Sequence, residues 1–303
     1  MRTLSAIVPA TNDPPTLERC LSAIQGADAA PEEVFVVRHP PHAGPAAARN
    51  AGAREAEGDV LVFVDADIEI HPDVFRLIRE AFAADDDLAA LFGSYDDAPA
   101  APGVVSHFRN LLHHHVHQTA AGPATTFWAG IGAVRREVFE AIGGFDEERF
   151  GRPSIEDIEL GMRLTSVGAR IRLDPRVQGT HLKHWTLAQM VRTDFRDRGI
   201  PWVELLLESR SRSAALNLAW RHRLSAGAVI VTIGSVMCRR PRAGVAAAGM
   251  LVVLNHSFYA LLARRRGTRE AAAGVGLHAL HHLTAAVAVP AGIIRYRRRL
   301  RKE

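Results

Sequence analysis

The sequence predicts an α/β domain built on a mostly parallel central sheet, followed by a helical region rich in apolar and basic residues. Three observations carry this reading. Short apolar runs at residues 4–8, 34–37, 60–64 and 88–92 alternate with helix-spaced segments. That order implies right-handed crossovers and parallel strands. The last third of the chain holds long stretches without charge, and its basic residues cluster between them. Finally, Asp65-Ala66-Asp67 directly follows the run Val60-Leu61-Val62-Phe63-Val64. Consecutive apolar residues bounded by charge read as a strand buried on both faces. A parallel strand delivers the residues after it to the carboxyl edge of the sheet, where open α/β folds bind ligands. Two carboxylates there are costly unless something positive pairs with them. Mg²⁺ or Mn²⁺ bridging to phosphate fits that need, and a solvated acidic turn is the plain alternative.

Taken in order, residues 4–8 form the first strand. Residues 14–24 place Leu17, Leu21 and Ile24 on one helical face. Residues 34–37 are a second strand, and residues 45–57 an Ala-rich helix. After the 60–64 strand, residues 72–84 open with Pro72 and put Val74, Leu77, Ile78 and Phe82 on one face. Residues 88–92 give a further strand. The stretch from about 100 to 185 is less regular. It holds a His-rich helix, the segment 125–134, the turn Gly143-Gly144-Phe145-Asp146 and a helix expected to be capped by Ser154. Residues 186–212 read as an amphipathic linker. Nothing after the first strand resembles G-x-G-x-x-G, which disfavours a standard dinucleotide fold.

The formal charge of +4 conceals an asymmetry. Residues 210–303 carry 17 Lys and Arg against two acids, and residues 1–209 carry 20 against 31. An acidic body with a basic tail suggests attachment to an anionic surface. The tail's apolar content points to membrane lipids and not to nucleic acid. Residues 243–263 (21 residues) and 271–294 (24 residues) lack Lys, Arg, Asp and Glu, and each is long enough to cross about 30 Å of hydrocarbon. Residues 224–238 number only 15, short enough to be interfacial or re-entrant. A buried helical hairpin is the alternative to spans, and arginines on both sides leave the topology open. No secretory leader is expected from residues 4–8. Cys20 and Cys238 stand far apart, which argues against a disulfide scaffold and fits a reducing compartment.

Four short motifs occur in sequence: Val8-Pro9-Ala10-Thr11-Asn12-Asp13, Ala48-Arg49-Asn50-Ala51-Gly52, Asp65-Ala66-Asp67, and Gly143-Gly144-Phe145-Asp146 followed by Ser154-Ile155-Glu156-Asp157. In this order they resemble a membrane-attached family 2 glycosyltransferase of the GT-A fold, over about residues 1–200. The resemblance implies a GT-A domain at 1–212, with a nucleotide-binding half to about 98, an acceptor half at 99–185 and linker helices at 186–212. Residues 213–303 would be membrane-associated helices. It further implies that Pro9, Thr11 and Asp13 line the nucleotide base pocket. Arg49 would meet the donor near its diphosphate, Asp65 its ribose or sugar side, and Lys183 would steady the diphosphate. Asp67 and His181 would hold Mn²⁺ or Mg²⁺, and Asp157 would be the catalytic base.

The chemistry is coherent with those residue types. Glycosyl transfer needs the leaving nucleoside diphosphate neutralised, and inversion needs one carboxylate to take the acceptor's proton. Trp128, Glu156, His113 and His117 are the acceptor-side candidates. His113 and His117 share a helical face, His114 and His115 do not, and a zinc site needs more than that pair. One departure stands out. The family's acidic pair after the second strand is replaced by Arg38-His39-Pro40-Pro41, so Arg38 could instead meet a phosphate. The expected function is therefore metal-dependent, inverting transfer from a UDP- or GDP-sugar to a lipid-linked acceptor, with the catalytic domain on the cytoplasmic side of the cell membrane. A non-catalytic membrane scaffold of the same fold is the alternative. Phosphatase-like chemistry is disfavoured, since Glu69 stands where those enzymes carry Thr or Val.

Overall fold

The computed structural model describes residues 2–209 and 220–301. They form two compact units, Met1–Ala101 with Val116–Lys183, and Pro102–His115 with His184–Glu303. The boundary expected at 212–213 lies outside the described residues.

The first unit contains β1 (Leu4–Pro9), α1 (Leu17–Gln25), β2 (Glu33–Val37), α2 (Pro45–Glu55), β3 (Val60–Val64), β4 (Ile68–Ile70), α3 (Val74–Ala84) and β5 (Leu88–Tyr95). The end of α4 (Val104–Thr119) leads to β6 (Gly122–Ala124), β7 (Ile131–Arg135), α5 (Arg136–Ala141), α6 (Glu156–Ser166) and β8 (Arg170–His181). The sheet order is β2-β1-β3-β7-β5-β8-β4, with β6 pairing β8. β1 pairs in parallel with β2 and β3, and β5 with β8, while β7 lies antiparallel between β3 and β5. Five strands therefore point one way, and β4, β6 and β7 oppose them. Residues of β3 are all buried, as a strand covered on both faces requires. The spacing in α3 is honoured: Val74, Leu77, Ile78 and Phe82 are all buried. The core gathers these around β1, β3 and β4. Each large side chain buried there contributes about 1.5–3 kcal/mol.

The β1–β3 register, Leu4↔Val60 through Ile7↔Phe63, brings both strands out at one edge. Thr11 and Asp65 leave the sheet there. The segment β4 then turns back along β8, with Ile68 opposite His181. That one pairing places the end of β8 beside the acidic triplet.

The second unit holds α7 (Leu187–Arg192), a π-helical turn (Thr193–Gly199), α8 (Ile200–Glu208), α9 (Trp220–Met237), α10 (Pro241–Leu254), α11 (His256–Arg266) and α12 (Thr268–Leu300). The Thr186 and Gln189 side chains form a capping box at α7. One described helix, α12, is long and apolar enough to cross a membrane. The span expected at 243–263 is not one straight helix. It is α10 and α11, bent by 70°. The break falls at Asn255, whose buried amide donates to Ser225 Oγ and to the Leu251 carbonyl, each at 2.9 Å. A polar side chain satisfied in this way stabilises the break, whereas hydrocarbon would leave it unpaired.

Candidate active site

The acidic triplet is fixed first by its backbone. The Asp65 amide donates to the Gly130 carbonyl and the Ile68 amide to the Asp65 carbonyl, both at 3.0 Å. The Leu182 amide donates to the Asp67 carbonyl at 2.8 Å. Thr16 Oγ1 donates to the Ala66 carbonyl at 2.8 Å. Behind it, the Cys20 thiol approaches the Asp65 carbonyl at 3.6 Å. Burial first, then the charges of Asp65 and Asp67, push that thiol up to about 12, so it is inert at neutral pH.

The two carboxylates then take different partners. Asp65 Oδ1 accepts from Arg49 Nη2 at 2.6 Å, and Arg49 Nη1 donates to Glu156 Oε1 at 3.0 Å. Arg49 is buried, so its guanidinium bridges α2, the triplet and the first turn of α6. Asp67 Oδ2 instead lies 3.7 Å from His181 Nε2 and 4.0 Å from Lys183 Nζ. Burial pushes the Asp65 carboxyl up, with Asp67 adding to the rise and Arg49 opposing it. Burial acts on Asp67 too, but His181 and Lys183 outweigh it and hold that carboxyl below its ordinary range. Asp67 is thus the better-stabilised anion of the pair.

His181 is held flat against Tyr95, with ring centroids 4.2 Å apart and planes 12° apart. Trp128 meets Tyr95 edge-on at 5.0 Å. A carboxylate oxygen and an imidazole nitrogen 3.7 Å apart can share one ion bonded at about 2.0–2.2 Å to each. The donor set of Asp67 and His181 therefore fits a divalent cation. Asp67 also keeps 27% of its side chain open to solvent, which leaves access for further oxygen ligands.

Asp157 lies in the first turn of α6. Its Oδ1 accepts from the Ile158 amide at 2.8 Å and its Oδ2 from the Ala129 amide at 3.3 Å. The helix begins one residue later than the expected Ser154 cap implies. Ile155 is the N-cap and makes no side-chain cap bond. The Ser154 amide donates to Glu156 Oε2 at 2.9 Å. Helix α6 is pressed against residues 126–127: a Cβ at Gly161 would lie 2.2 Å from the Phe127 amide nitrogen. This close approach keeps Asp157 at the Ala129 backbone.

The sequence profile described as Glycosyl transferase family 2 matches residues 22–143, which include Arg49, Asp65, Asp67 and Trp128. Residues 22–143 are thus similar to family 2 glycosyltransferases. A probable glycosyltransferase, YdaM, of Bacillus subtilis is 28% identical over 154 residues, 46% of this chain and 34% of that protein. The pre-mycofactocin glycosyltransferase of Mycobacterium tuberculosis is 26% identical over 272 residues, 78% of this chain and 52% of that protein. The chain thus spans about a third and about half of these curated relatives. The solved mannosyltransferase PcManGT of Pyrobaculum calidifontis, in complex with GDP-Man and Mn²⁺, superposes with a TM-score of 0.57. It is 17% identical, with 95% of this chain and 87% of that one covered. The first unit accordingly has the GT-A fold.

Within the first unit the structure brings together Arg49, Asp65 and Glu156, and separately Asp67, His181 and Lys183. Pro9 ends β1 opposite Val37. Thr11 Oγ1 donates to the Ala43 carbonyl at 2.6 Å. Asp13 adopts φ 46° and pairs with Arg38 at 3.2 Å, so the basic residue after β2 neutralises an acid at the expected base pocket. Two acceptor-side candidates have internal partners. Glu156 is buried and engaged by Arg49. His117 is buried, donates from Nδ1 to the Gly93 carbonyl at 2.8 Å, and packs edge-on to Phe92. His113 belongs to the second unit. Sequence reasoning missed Tyr95, because the strand was read as ending at Phe92. Strand alternation carried on to Tyr95 would have flagged an aromatic at the ligand edge.

Proposed function

We propose that this chain is a divalent-metal-dependent, inverting glycosyltransferase that uses a nucleotide-diphosphate sugar. The observation that carries this is the Asp67–His181–Lys183 set at the sheet edge, with His181 Nε2 and Lys183 Nζ 3.7 and 4.0 Å from Asp67 Oδ2, in a chain whose residues 22–143 match the family 2 profile. The presence of Mn²⁺ in the PcManGT complex supports divalent-metal use. When bound there, a divalent cation supplies Lewis-acid neutralisation of the leaving diphosphate. Lys183 adds a mobile positive charge to the diphosphate. Arg49 holds Asp65 in place for the donor's sugar side, and Thr11 and Asp13 shape the base pocket. Asp157 takes the acceptor's proton. Its place in the first turn of α6 favours the ionised form, and Glu156 beside it is turned to Arg49. Trp128, edge-on to Tyr95, offers a ring face for the acceptor.

The acceptor is lipid-linked in this reading, and the catalytic domain faces the cytoplasm. Support comes from the second unit: Val231, Val236, Met237, Val245 and Val253 are exposed between 51% and 81%. Exposed apolar surface on α9 and α10 beside a spanning-length α12 suits a bilayer. Trp220 is exposed, with Arg223 over its ring at 5.1 Å, a pairing suited to a membrane interface.

The test is a screen of UDP- and GDP-sugars for thermal stabilisation, with and without Mn²⁺. One nucleotide class should stabilise the wild type only with metal, and D67N should abolish that shift. D157N should keep the shift and lose several orders of magnitude in turnover. Absence of any metal-dependent nucleotide binding would return the scaffold alternative. Substantial turnover in D157N would show that the acceptor needs no base, as a lipid phosphate would not.

A further inference from the structure

We infer that the second unit contains a transition-metal site formed by His222 of α9 and His278 and His282 of α12. The three imidazoles each offer a nitrogen, and these atoms lie within 4.8 Å of one another. His278 and His282 are four residues apart and so share one helical face, with ring centroids 4.4 Å apart. His222 reaches the same point from the neighbouring helix, 6.0 Å from His282 between centroids. All three are buried, at 8%, 1% and 3% exposure.

A packed trio of imidazoles has a bland explanation if each nitrogen is hydrogen-bonded. Here that explanation fails at two atoms. Nε2 of His278 and Nε2 of His282 are buried and have no hydrogen-bond partner among the described residues. Meanwhile His278 Nδ1 lies 3.0 Å from the Tyr259 hydroxyl. A hydrogen bond at one ring nitrogen orients the ring and directs the other nitrogen to a metal. Beside them, His281 Nδ1 pairs with Asp194 Oδ2 at 2.7 Å, which brings a carboxylate's charge close to the trio.

The donor set decides the ion. Three imidazoles without a carboxylate suit Zn²⁺ and its borderline neighbours, not the hard ions suited to Asp67. Three histidines with a fourth position open also match the ligand number of open zinc sites. A tetrahedral ion at about 2.0–2.1 Å from each nitrogen needs them about 3.4 Å apart, so the rings close by roughly an ångström on binding. The ion would clip α9 to α12. Polar groups within an apolar helix are expensive, which favours a functional role for His278 and His282 on α12. This site is independent of the glycosyltransferase reading, because it shares no residue with it.

The experiment uses the full-length, detergent-solubilised protein without a polyhistidine tag. It is stripped with chelator, then titrated with Zn²⁺ and separately with Co²⁺. We expect about one equivalent of Zn²⁺ to be retained per chain and a four-coordinate Co²⁺ absorption band. D67N should retain both. H278Q and H282Q should lose them, and Y259F should weaken Zn²⁺ binding by about 10–100-fold. Wild-type protein that retains no zinc and shows no cobalt band overturns the inference, whatever the variants do. So does an H278Q/H282Q double variant that binds zinc as the wild type does.

Discussion

Arg49→Met should separate a clamp from a ligand contact. Arg49 is 4% exposed, and its Glu156 partner 6%. Removing the guanidinium leaves Glu156 buried and unpaired, a loss of about 3–5 kcal/mol for breaking a buried pair. The Asp65 limb is 31% exposed, so solvent limits its share to about 1 kcal/mol or less. Methionine keeps most of the aliphatic volume against Phe145, so the deficit is mainly electrostatic. For a domain of this size each kcal/mol shifts Tm by about 2–4 °C, giving a fall of about 6–20 °C. The assay is a thermal melt followed by circular dichroism at pH 7.5 and pH 5. Arg49 is the leading influence holding the Asp65 carboxyl down against burial. Without it, the folded-state pKa of Asp65 rises further above its unfolded value. The variant's deficit should therefore shrink as pH falls and the folded state takes up protons. A melt within about 2 °C of wild type at pH 7.5, with a raised KM for donor, would refute the clamp and restore Arg49 as a direct diphosphate contact. A deficit unchanged at pH 5 would refute the electrostatic account.

Three further outcomes are expected. Gly161→Ala would force a Cβ to within 2.2 Å of the Phe127 amide nitrogen and 2.4 Å of the Thr126 carbonyl carbon. Urea denaturation should show a loss of about 1–3 kcal/mol, with kcat falling as Asp157 shifts from Ala129. The His71–Asp96 pair, 3.1 Å apart, should make stability pH-dependent. The hydrogen bond to Asp96 raises His71 despite burial, so its contribution is complete below about pH 6.5 and lost as pH rises through the folded value. Asp96 is lowered, His71 and Thr180 outweighing burial, so its share is lost as pH falls well below 4. His71 is partly exposed, and the alkaline loss is therefore on the order of 0.5 kcal/mol; His71→Gln should flatten it in urea titrations between pH 6 and 8. Asp194 is buried between Arg109 and His281, both at 2.7 Å, and Asp194→Asn should cost about 3–5 kcal/mol by leaving the buried Arg109 guanidinium without its carboxylate. A variant that melts like the wild type would show that pair to be dispensable.

The range of each interaction decides how much of the fold was legible in the sequence. The run Val60-Leu61-Val62-Phe63-Val64 needs no distant partner to declare itself buried, and β3 spans those residues. The apolar stripe of α3 is equally local, and it packs as its spacing implies. The insertion of β7 between β3 and β5 is not local. Its register with Val60–Val64 is set by residues about 70 positions later, and no periodicity within either strand encodes that partner. The 243–263 stretch misled for a related reason. Counting charges treats Asn255 as neutral filler, yet its buried amide donates to Ser225 and Leu251 where the helix breaks.

The acidic triplet shows the same division at the candidate site. As sequence, Asp65 and Asp67 are interchangeable carboxylates one residue apart. The fold makes them unlike by giving them different partners. Arg49, held on α2 and tied to Glu156 across 107 residues of chain, claims Asp65. The β4–β8 pairing of Ile68 with His181 brings an imidazole and a lysine to Asp67. Burial raises one carboxyl while basic neighbours lower the other. Two carboxylates on the same turn can therefore take separate tasks, one in the scaffold of the site and one facing the donor's charge. Because that separation rests on Arg49, exchanging the roles should require moving the arginine and not the aspartates.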